Sequence, residues 1–273
     1  CIQEMDFGYK SVSVNRSILA DLSIRQYWYS AIPKCYALLD LQPLDAAGII
    51  TLQNYPTLQL MGEGIMIGFL DTGIDYQNKV FRNLDGTTRI AGIWDQTIQE
   101  GASPEGLEYG TEYTEDMLNR ALKEEEPLKS VPTKDEDGHG TYVASVAAGG
   151  ADYNNRFTGA APEAAIAMVK LKPAKAYLKE FFAIKEEAVC YQENDIMAAA
   201  AFLLGVAGQY RMPLVLCLGV GTSQGSHSGI SPLAMQLQAL SGTRGFACIT
   251  GAGNETGFRH HYFGNLSPDQ EYE

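Results

Sequence analysis

The stretch "IMIGFLDTGID" (residues 65–75) decides the fold, because it is an apolar run that ends in Asp71. A continuous apolar run of this length is typical of a parallel strand that helices cover on both faces. A second run of the same kind, "RIAGIWD", follows at 89–95. We therefore predict that Asp71 lies at the carboxyl end of a central strand, where α/β sheets gather their functional groups.

Apolar runs and helical patterns alternate along most of the remaining chain. Strands are predicted at 164–171, 213–219 and 245–253, and helices at 139–149, 194–210 (with Asn194 as its N-cap) and 232–241. This alternation predicts an α/β fold, with a mostly parallel central sheet flanked by helices. The segment 99–136 is rich in charge, proline and glycine, and we expect it to be an exposed excursion with one helix at 114–124.

The N-terminal residues 1–60 are predicted to form a separate, small α+β piece. Its apolar stretch "CYALLD" (35–40) favours a strand, and "PLDAAG" (43–48) favours a short helix. The β-branched run "IITLQ" (49–53) favours a second strand.

The composition argues against two classes of partner. The chain has 33 acidic and 20 basic residues, a net charge of −13. A nucleic-acid partner would require a basic face, and adhesion to anionic lipid would require basic clusters. Because the net charge is negative, we expect no nucleic-acid partner. The longest apolar run, 196–208, is shorter than the roughly 20 residues that span a bilayer, so we also expect no membrane span.

Three polar side chains stand at the ends of predicted elements: Asp71, His139 and Asn254. By itself, each has an ordinary explanation: Asp71 and Asn254 would be turn residues, and His139 would be a structural histidine. Together, the three residues have a catalytic explanation. An aspartate can hold a histidine in its useful tautomer, the histidine can take a proton from a serine hydroxyl, and an amide can stabilise the resulting oxyanion. The glycines that flank His139 are expected to let neighbouring backbone approach closely and to permit unusual dihedral angles. In the catalytic interpretation they would also leave room for substrate and serine.

Three motifs in order resemble those of the subtilisin-like serine proteases, the subtilases. They are "DTGID" (71–75), "GHGTYVAS" (138–145) and "GAGNE" (251–255), which are similar to the family's Asp, His and oxyanion-Asn motifs. Tyr142 replaces the second histidine of the usual HGTHVA pattern, a change that is compatible with catalysis. The resemblance covers about residues 62–258.

The resemblance implies a serine endopeptidase that acts on protein or peptide substrates. Asp71 would orient His139, His139 would be the general base, and Asn254 would donate to the oxyanion, in the chain order Asp-His-Ser known from subtilisin. The stretch "LCLGVGTSQG" (216–225) is similar to the strand that lines the family's substrate cleft. Gly219, Val220 and Gly221 stand where the usual Ser-Leu-Gly would be, and they would pair with substrate backbone.

Two stretches, 36–76 and "GTSQGSH" (221–227), resemble the Csp-type subtilases of spore-forming Clostridia, which process a germination zymogen. This resemblance implies that residues 1–58 are a propeptide-like region that assists folding and stays bound, and that 59–273 belong to the catalytic domain. It also implies a location in the spore or cell envelope. No signal-peptide pattern opens the chain.

The family's nucleophile lies in a GTSxAxP motif that follows the oxyanion asparagine. These 273 residues do not contain it. Ser223 in "GTSQGS" matches its first residues, but it precedes Asn254, and glycine and proline follow where a helix should run. We therefore expect the chain to be the front part of a longer protease, with the catalytic serine outside it. A degenerate, inactive protein is the alternative.

Metal and cofactor signals are weak. The pair His260–His261 has no carboxylate or cysteine cluster beside it, so we expect a solvated loop there, as at His227. No cofactor is required by the implied mechanism, and calcium is possible only through the family resemblance, since no contiguous ligand loop is visible.

Two rival functions remain. One is a nucleotide-binding α/β protein in which "GVGTSQG" would bind a phosphate, although this stretch lacks a lysine. The other is a pseudoprotease that acts as a binding or signalling module.

Overall fold

The structure is a computed structural model, and it describes residues 2–4, 10–12, 44, 46–152, 154–155, 157–222, 228–251 and 253. The chain divides into two compact units, one of residues 1–38 with 254–273 and one of residues 39–253. In the first, β1 (Ile2–Glu4) pairs antiparallel with β2 (Lys10–Val12). The second contains every other element described below. The predicted division into 1–58 and 59–273 stays a prediction.

A six-stranded sheet forms the centre of the second unit. Its strands are β3 (Met66–Asp71), β4 (Ile90–Asp95), β5 (Thr111–Thr114), β6 (Ala165–Lys170), β7 (Leu214–Leu218) and β8 (Phe246–Thr250). The order across the sheet is β5-β4-β6-β3-β7-β8, and all neighbours are parallel except the β4–β5 pair. The predicted mostly parallel α/β sheet is therefore confirmed.

Helices flank this sheet, and the three longest begin within one residue of their predicted starts. The helices are α1 (Ile49–Gln53), α2 (Glu115–Ala121), α3 (Pro127–Ser130), α4 (His139–Ala148), α5 (Ala176–Phe181), α6 (Glu193–Tyr210) and α7 (Pro232–Ser241). A 3₁₀ turn, Lys79–Phe81, follows β3.

The alternation of side chains along β3 divides the core into two layers. Met66 and Leu70 belong to the buried cluster that contains the apolar face of α6, whereas Ile67 and Phe69 belong to the cluster that contains the buried face of α4. Because successive side chains of a strand point to opposite faces, the residue after Leu70 points to the α4 side. That residue is Asp71, so the strand parity itself aims its carboxylate at α4.

The stretch 49–53 is a helix, and the prediction of a strand there was wrong. The side chain of Gln53 is buried, and its Nε2 donates to the carbonyl oxygens of Gly159 (3.1 Å) and Ala160 (3.0 Å). These tertiary bonds hold the helix against the main body. The local β preference of two isoleucines and a threonine amounts to less than about 1 kcal/mol each, which such contacts override.

The segment 99–136 is less exposed than expected. Its residues 111–114 form β5, the antiparallel edge of the sheet, and Tyr113, Leu118 and Val131 are buried. The helix predicted at 114–124 is confirmed as α2. Most of its charged residues are exposed, while the apolar residues between them pack on the α4 side of the sheet. The high charge content therefore concealed that part of this segment belongs to the core.

Asn194 is not the N-cap of α6. The helix begins at Glu193 and its N-cap is Gln192, whose Nε2 donates to the Asn194 side chain over 3.0 Å. Asp195, in the first turn, is buried, forms an ion pair with Lys172 and accepts a hydrogen bond from the Tyr109 hydroxyl. Within the part of the chain that the structure describes, no helix is both long and apolar enough to cross a membrane.

Replacement of Gln53 by methionine tests how α1 is held. The change Gln53→Met keeps the side-chain length but leaves two carbonyl groups without their donor, which should lower the free energy of unfolding by about 1–3 kcal/mol. Urea denaturation monitored by circular dichroism measures it. The control is Gln238→Met on the exposed face of α7, which should change stability by less than about 0.5 kcal/mol. Equal effects of the two variants would contradict this role of Gln53.

Candidate active site

The carboxylate of Asp71 and the imidazole of His139 meet at the carboxyl edge of the sheet. The distance from Asp71 Oδ1 to His139 Nδ1 is 2.7 Å. Asp71 is 2% exposed as a residue, whereas the side chain of His139 is 47% exposed. The buried partner therefore holds one ring nitrogen, and the other edge of the ring is turned toward solvent.

Glycine allows the first turn of α4 to come this close. A Cβ on Gly140 would collide with the carbonyl oxygen of Gly73 and would lie 3.1 Å from the Cβ of Asp71. Gly138, the N-cap of α4, has a φ of 89°, in the left-handed region that favours glycine. The expectation that both glycines leave room for substrate and serine was wrong for Gly140, whose space is filled by the end of the Asp71 segment.

The Asp71 hydrogen bond raises the pKa of His139 above its ordinary value of 6.5, against the opposing effect of partial burial. The negative charges of Asp71, Asp137 and Asp135 act in the same direction. Because the folded-state pKa is raised, this pairing stabilises the fold at pH values below 6.5. That contribution is lost as the pH rises through the folded-state pKa of His139.

Neighbouring strands end in charged residues that face the same side as Asp71. Asp95, at the end of β4, is fully buried and accepts a hydrogen bond from the Thr133 hydroxyl over 2.6 Å. Lys170, paired in register with Asp71, donates to the carbonyl of Lys134 (2.7 Å) and to Glu136 (2.6 Å). The ends of β4 and β6 therefore hold the loop that leads into His139. None of these residues was predicted from the sequence to belong to the site, although their positions at strand ends were a usable signal.

The other end of α4 is held by Arg89. Its guanidinium group donates to the carbonyl oxygens of Ala148 (2.6 Å), Val80 (2.6 Å) and Ala164 (2.7 Å). Ala148 is the last residue of α4, so a positive charge lies at the negative end of the helix dipole. The helix that carries His139 is thus fixed at both ends by side chains from outside it.

The predicted substrate-binding residues directly follow β7. Gly219 lies beside the dyad, since a Cβ on it would collide with Asp71 Oδ2. Val220 is half-buried and packs against the core layer on the α6 side, while Gly221 is exposed with open space where a Cβ would be. The substrate-binding role of these three residues stays a prediction. Gly219, however, leaves free the space that the Asp71 carboxylate occupies.

Other predicted site residues lie outside the described part of the structure. They are Asn254, His227, His260, His261 and Ser223. Among the residues that are described, no group of three or more His, Cys, Asp or Glu side chains lies close enough together to hold a metal ion. The prediction that catalysis needs no cofactor stays a prediction.

The strength of the dyad can be measured through the titration of His139. In a two-dimensional NMR titration of the chain, its pKa should lie above 6.5, and Asp71→Asn should lower it, because the bond to a carboxylate and its charge are both removed. The control Asp85→Asn removes an exposed charge that is absent from the causes of the His139 shift. A His139 pKa that does not respond to Asp71→Asn would contradict the pairing.

Alanine at two nearby glycines separates the space around Asp71 from general effects of the loop. Gly219→Ala should displace the Asp71 carboxylate, lower the pKa of His139 and cost about 1–3 kcal/mol of stability through overpacking. Gly221→Ala is the matched control, since its new Cβ meets nothing within 4 Å. The same titration and a denaturation curve measure both effects. If Gly219→Ala behaves like Gly221→Ala, the close packing of Gly219 on Asp71 is wrong.

Comparison with known proteins places this arrangement in a family. The chain is similar at 33% identity to the subtilisin-like protease SBT2.2 of Arabidopsis thaliana over 97 residues, which are 32% of the chain and 11% of that protein. It is 35% identical to SBT2.1 of the same plant over 96 residues, with 32% and 11% covered. Its fold is similar to that of the Clostridium perfringens CspB protease, with a TM-score of 0.65 and 33% identity over 78% of this chain and 41% of that one.

The chain therefore spans less than half the length of these relatives. The model of the subtilase family, peptidase family S8, matches residues 62–271, which is more than half of the chain and includes both members of the dyad. The predicted resemblance to the subtilases is therefore confirmed. The similarity to the solved CspB structure also supports the predicted relation to the Csp-type proteases. The chain belongs to the subtilase family.

Proposed function

We propose that the protein carrying this chain is a serine endopeptidase of the subtilisin type, in which His139 is the general base. The observation that carries the proposal is the 2.7 Å hydrogen bond between the buried carboxylate of Asp71 and Nδ1 of the half-exposed His139. A histidine held in this way keeps its proton on Nδ1 and offers Nε2 to a hydroxyl group. Membership of the subtilase family supplies the reaction class.

The reaction begins when a serine hydroxyl attacks the carbonyl carbon of the substrate peptide bond. Nε2 of His139 takes the hydroxyl proton as the oxygen–carbon bond forms, and it then gives that proton to the leaving amine as the carbon–nitrogen bond breaks. Water repeats the sequence on the acyl-enzyme and releases the acid. Asp71 stabilises the imidazolium that forms in each half-reaction, and all proton transfers are carried by side chains, so the scheme needs no cofactor.

Two further groups complete the proposed machinery. The side-chain amide of Asn254 donates to the oxyanion that develops on the substrate carbonyl. The nucleophile is a serine in the family's GTSxAxP context, which the 273 residues do not contain. Both assignments rest on the motifs.

The proposed substrate is an extended segment of protein. The segment 219–221 directly follows β7 and includes two glycines without side chains, so its backbone can approach a substrate strand and form main-chain hydrogen bonds with it. The similarity to Csp-type proteases favours a proenzyme as substrate, activated by cleavage. Residues 1–58 are proposed to act as the enzyme's own propeptide.

Loss of the His139 imidazole should abolish peptide hydrolysis. In subtilisin, removing the corresponding imidazole lowers kcat by about 10⁶-fold, and we expect His139→Ala to cause a loss of that order. The natural protein, expressed from its complete gene, is treated with a fluorophosphonate probe and assayed on unstructured peptides. The expected result is one labelled serine in a GTSxAxP context, with labelling lost in the variant.

The matched control is His261→Ala, which removes the same group at a position where a solvated loop is predicted, and it should keep full labelling. Undiminished turnover in His139→Ala would show that His139 is not the base. A natural protein that stays unlabelled would indicate an inactive protein with the subtilase fold.

A further inference from the structure

Asp135 joins the two segments that carry the catalytic dyad. Its Oδ1 accepts hydrogen bonds from the hydroxyl of Thr72 (2.8 Å) and the backbone N–H of Gly138 (2.9 Å). Its Oδ2 accepts from the backbone N–H and the hydroxyl of Thr141, over 2.8 and 2.7 Å. Thr72 follows Asp71 directly, and Gly138 and Thr141 flank the turn of His139. One carboxylate therefore connects chain segments that are more than 60 residues apart.

The same carboxylate helps to saturate the N-terminus of α4. An α-helix leaves its first N–H groups without partners in the helix. Here Gly140 donates to the Thr72 hydroxyl over 2.9 Å, and Thr141 donates to Asp135. The N–H of His139 lies 3.3 Å from Asp137 Oδ1. Asp135 thus accepts the hydrogen bond that an N-cap side chain would normally accept, because the N-cap of α4 is Gly138, which has no side chain.

The directions of these hydrogen bonds require Asp135 to be ionised. The Thr72 hydroxyl accepts from Gly140, and the Thr141 hydroxyl accepts from the N–H of Asp75 over 2.9 Å, so the proton of each hydroxyl is directed at Asp135. Four donors then converge on two oxygens. Burial by itself would raise the pKa of Asp135, but the hydrogen bonds from Thr141, Gly138 and Thr72 outweigh it and hold the pKa below its ordinary value.

The loop that carries Asp135 is itself fixed to the sheet. Thr133 donates to the buried Asp95, and Lys170 bonds both Lys134 and Glu136. Asp135 therefore stands on a support that is independent of α4.

We propose that Asp135 is the positioning residue of the dyad, a carboxylate that sets the distance and orientation of His139 relative to Asp71 by binding Thr72 on one side and Gly138 and Thr141 on the other. This proposal rests on the proposed function only where it calls the dyad of Asp71 and His139 catalytic. The claim that Asp135 sets the distance and orientation of the two side chains does not depend on that function. Asp135 acts through its hydrogen bonds to the two threonine hydroxyls and to the backbone of the helix N-terminus, and not through a bond to the side chain of Asp71 or His139.

The variant Asp135→Asn separates this role from a simple effect of charge. An asparagine has one accepting atom and one donating group, so two of the four donors lose their acceptor in either orientation of the amide. Asp137→Asn is the matched control. It removes a negative charge that also acts on His139, but Asp137 makes only the single 3.3 Å contact with α4.

The readouts are taken by NMR on the natural protein, expressed from its complete gene, without substrate. In Asp135→Asn, whichever of the Gly138 and Thr141 amides loses its acceptor should exchange about tenfold faster, as expected for loss of one to two hydrogen bonds, and the Nδ1 proton resonance of His139 should weaken. In Asp137→Asn, exchange at these amides should change less than about twofold. Equal changes in the two variants, or an unchanged Nδ1 resonance in Asp135→Asn, would overturn the proposal.

A second pair of variants keeps the test decisive if Asp135→Asn does not fold. Thr72→Val replaces the bridging hydroxyl with a methyl group of similar shape, whereas Thr72→Ser retains the hydroxyl. The valine variant should show faster exchange at Gly140 and a weakened Nδ1 resonance, and the serine variant should match the natural chain. Identical behaviour of valine and serine variants would show that the hydroxyl does not transmit the position of Asp135.

Kinetics on the natural protein then distinguish the two proposals. A positioning role predicts that Asp135→Asn lowers kcat by about ten- to a hundredfold while KM stays within about twofold, because substrate contacts are unchanged. A protein without peptidase activity would refute the proposed function and leave the NMR result standing. A peptidase whose kcat is insensitive to Asp135→Asn would refute the positioning role alone.

Discussion

The close approach of the first turn of α4 to the end of β3 is the constraint on which the site depends. Strand parity aims Asp71 toward the α4 layer, and the missing side chain of Gly140 lets the helix backbone lie against Gly73. Only then can a carboxylate that is almost completely buried reach an imidazole that stays half-exposed. Burial of that carboxylate is costly unless it is bonded, so the contact with His139 and the fold around it stabilise each other.

A polar layer lies between the sheet and α4 at this edge, in the place where two apolar surfaces would otherwise meet. Asp95, Lys170 and Asp71 follow one another across three neighbouring strands, and each bonds the loop before α4 or the helix itself. Buried charges of this kind add little net stability compared with apolar packing. Their directional bonds do restrict the loop to one arrangement, which a site that transfers protons over hydrogen-bond distances requires.

Elements with a local signal in the amino-acid sequence were predicted better than elements that depend on distant residues. Long apolar runs predicted β3, β4, β6 and β7 well, because a strand buried on both faces has no polar alternative. The stretch 49–53 was predicted wrongly, since its conformation depends on bonds from Gln53 to residues more than 100 positions away. The segment 99–136 was predicted as exposed because its charges outnumber the few apolar residues, such as Tyr113 and Leu118, that enter the core.

By itself, the sequence determined the α/β class, the order of its main elements and the candidate pair Asp71 and His139, since periodicity and motifs are properties of short stretches. Only the tertiary structure decided that the two side chains lie 2.7 Å apart, that Gly219 packs on Asp71, and that Asp135 joins both arms of the site. The physical reason is the strand order β4-β6-β3-β7, which brings together residues 60 and more positions apart in the chain. Hydrogen bonds between such residues leave no periodic trace in the amino-acid sequence.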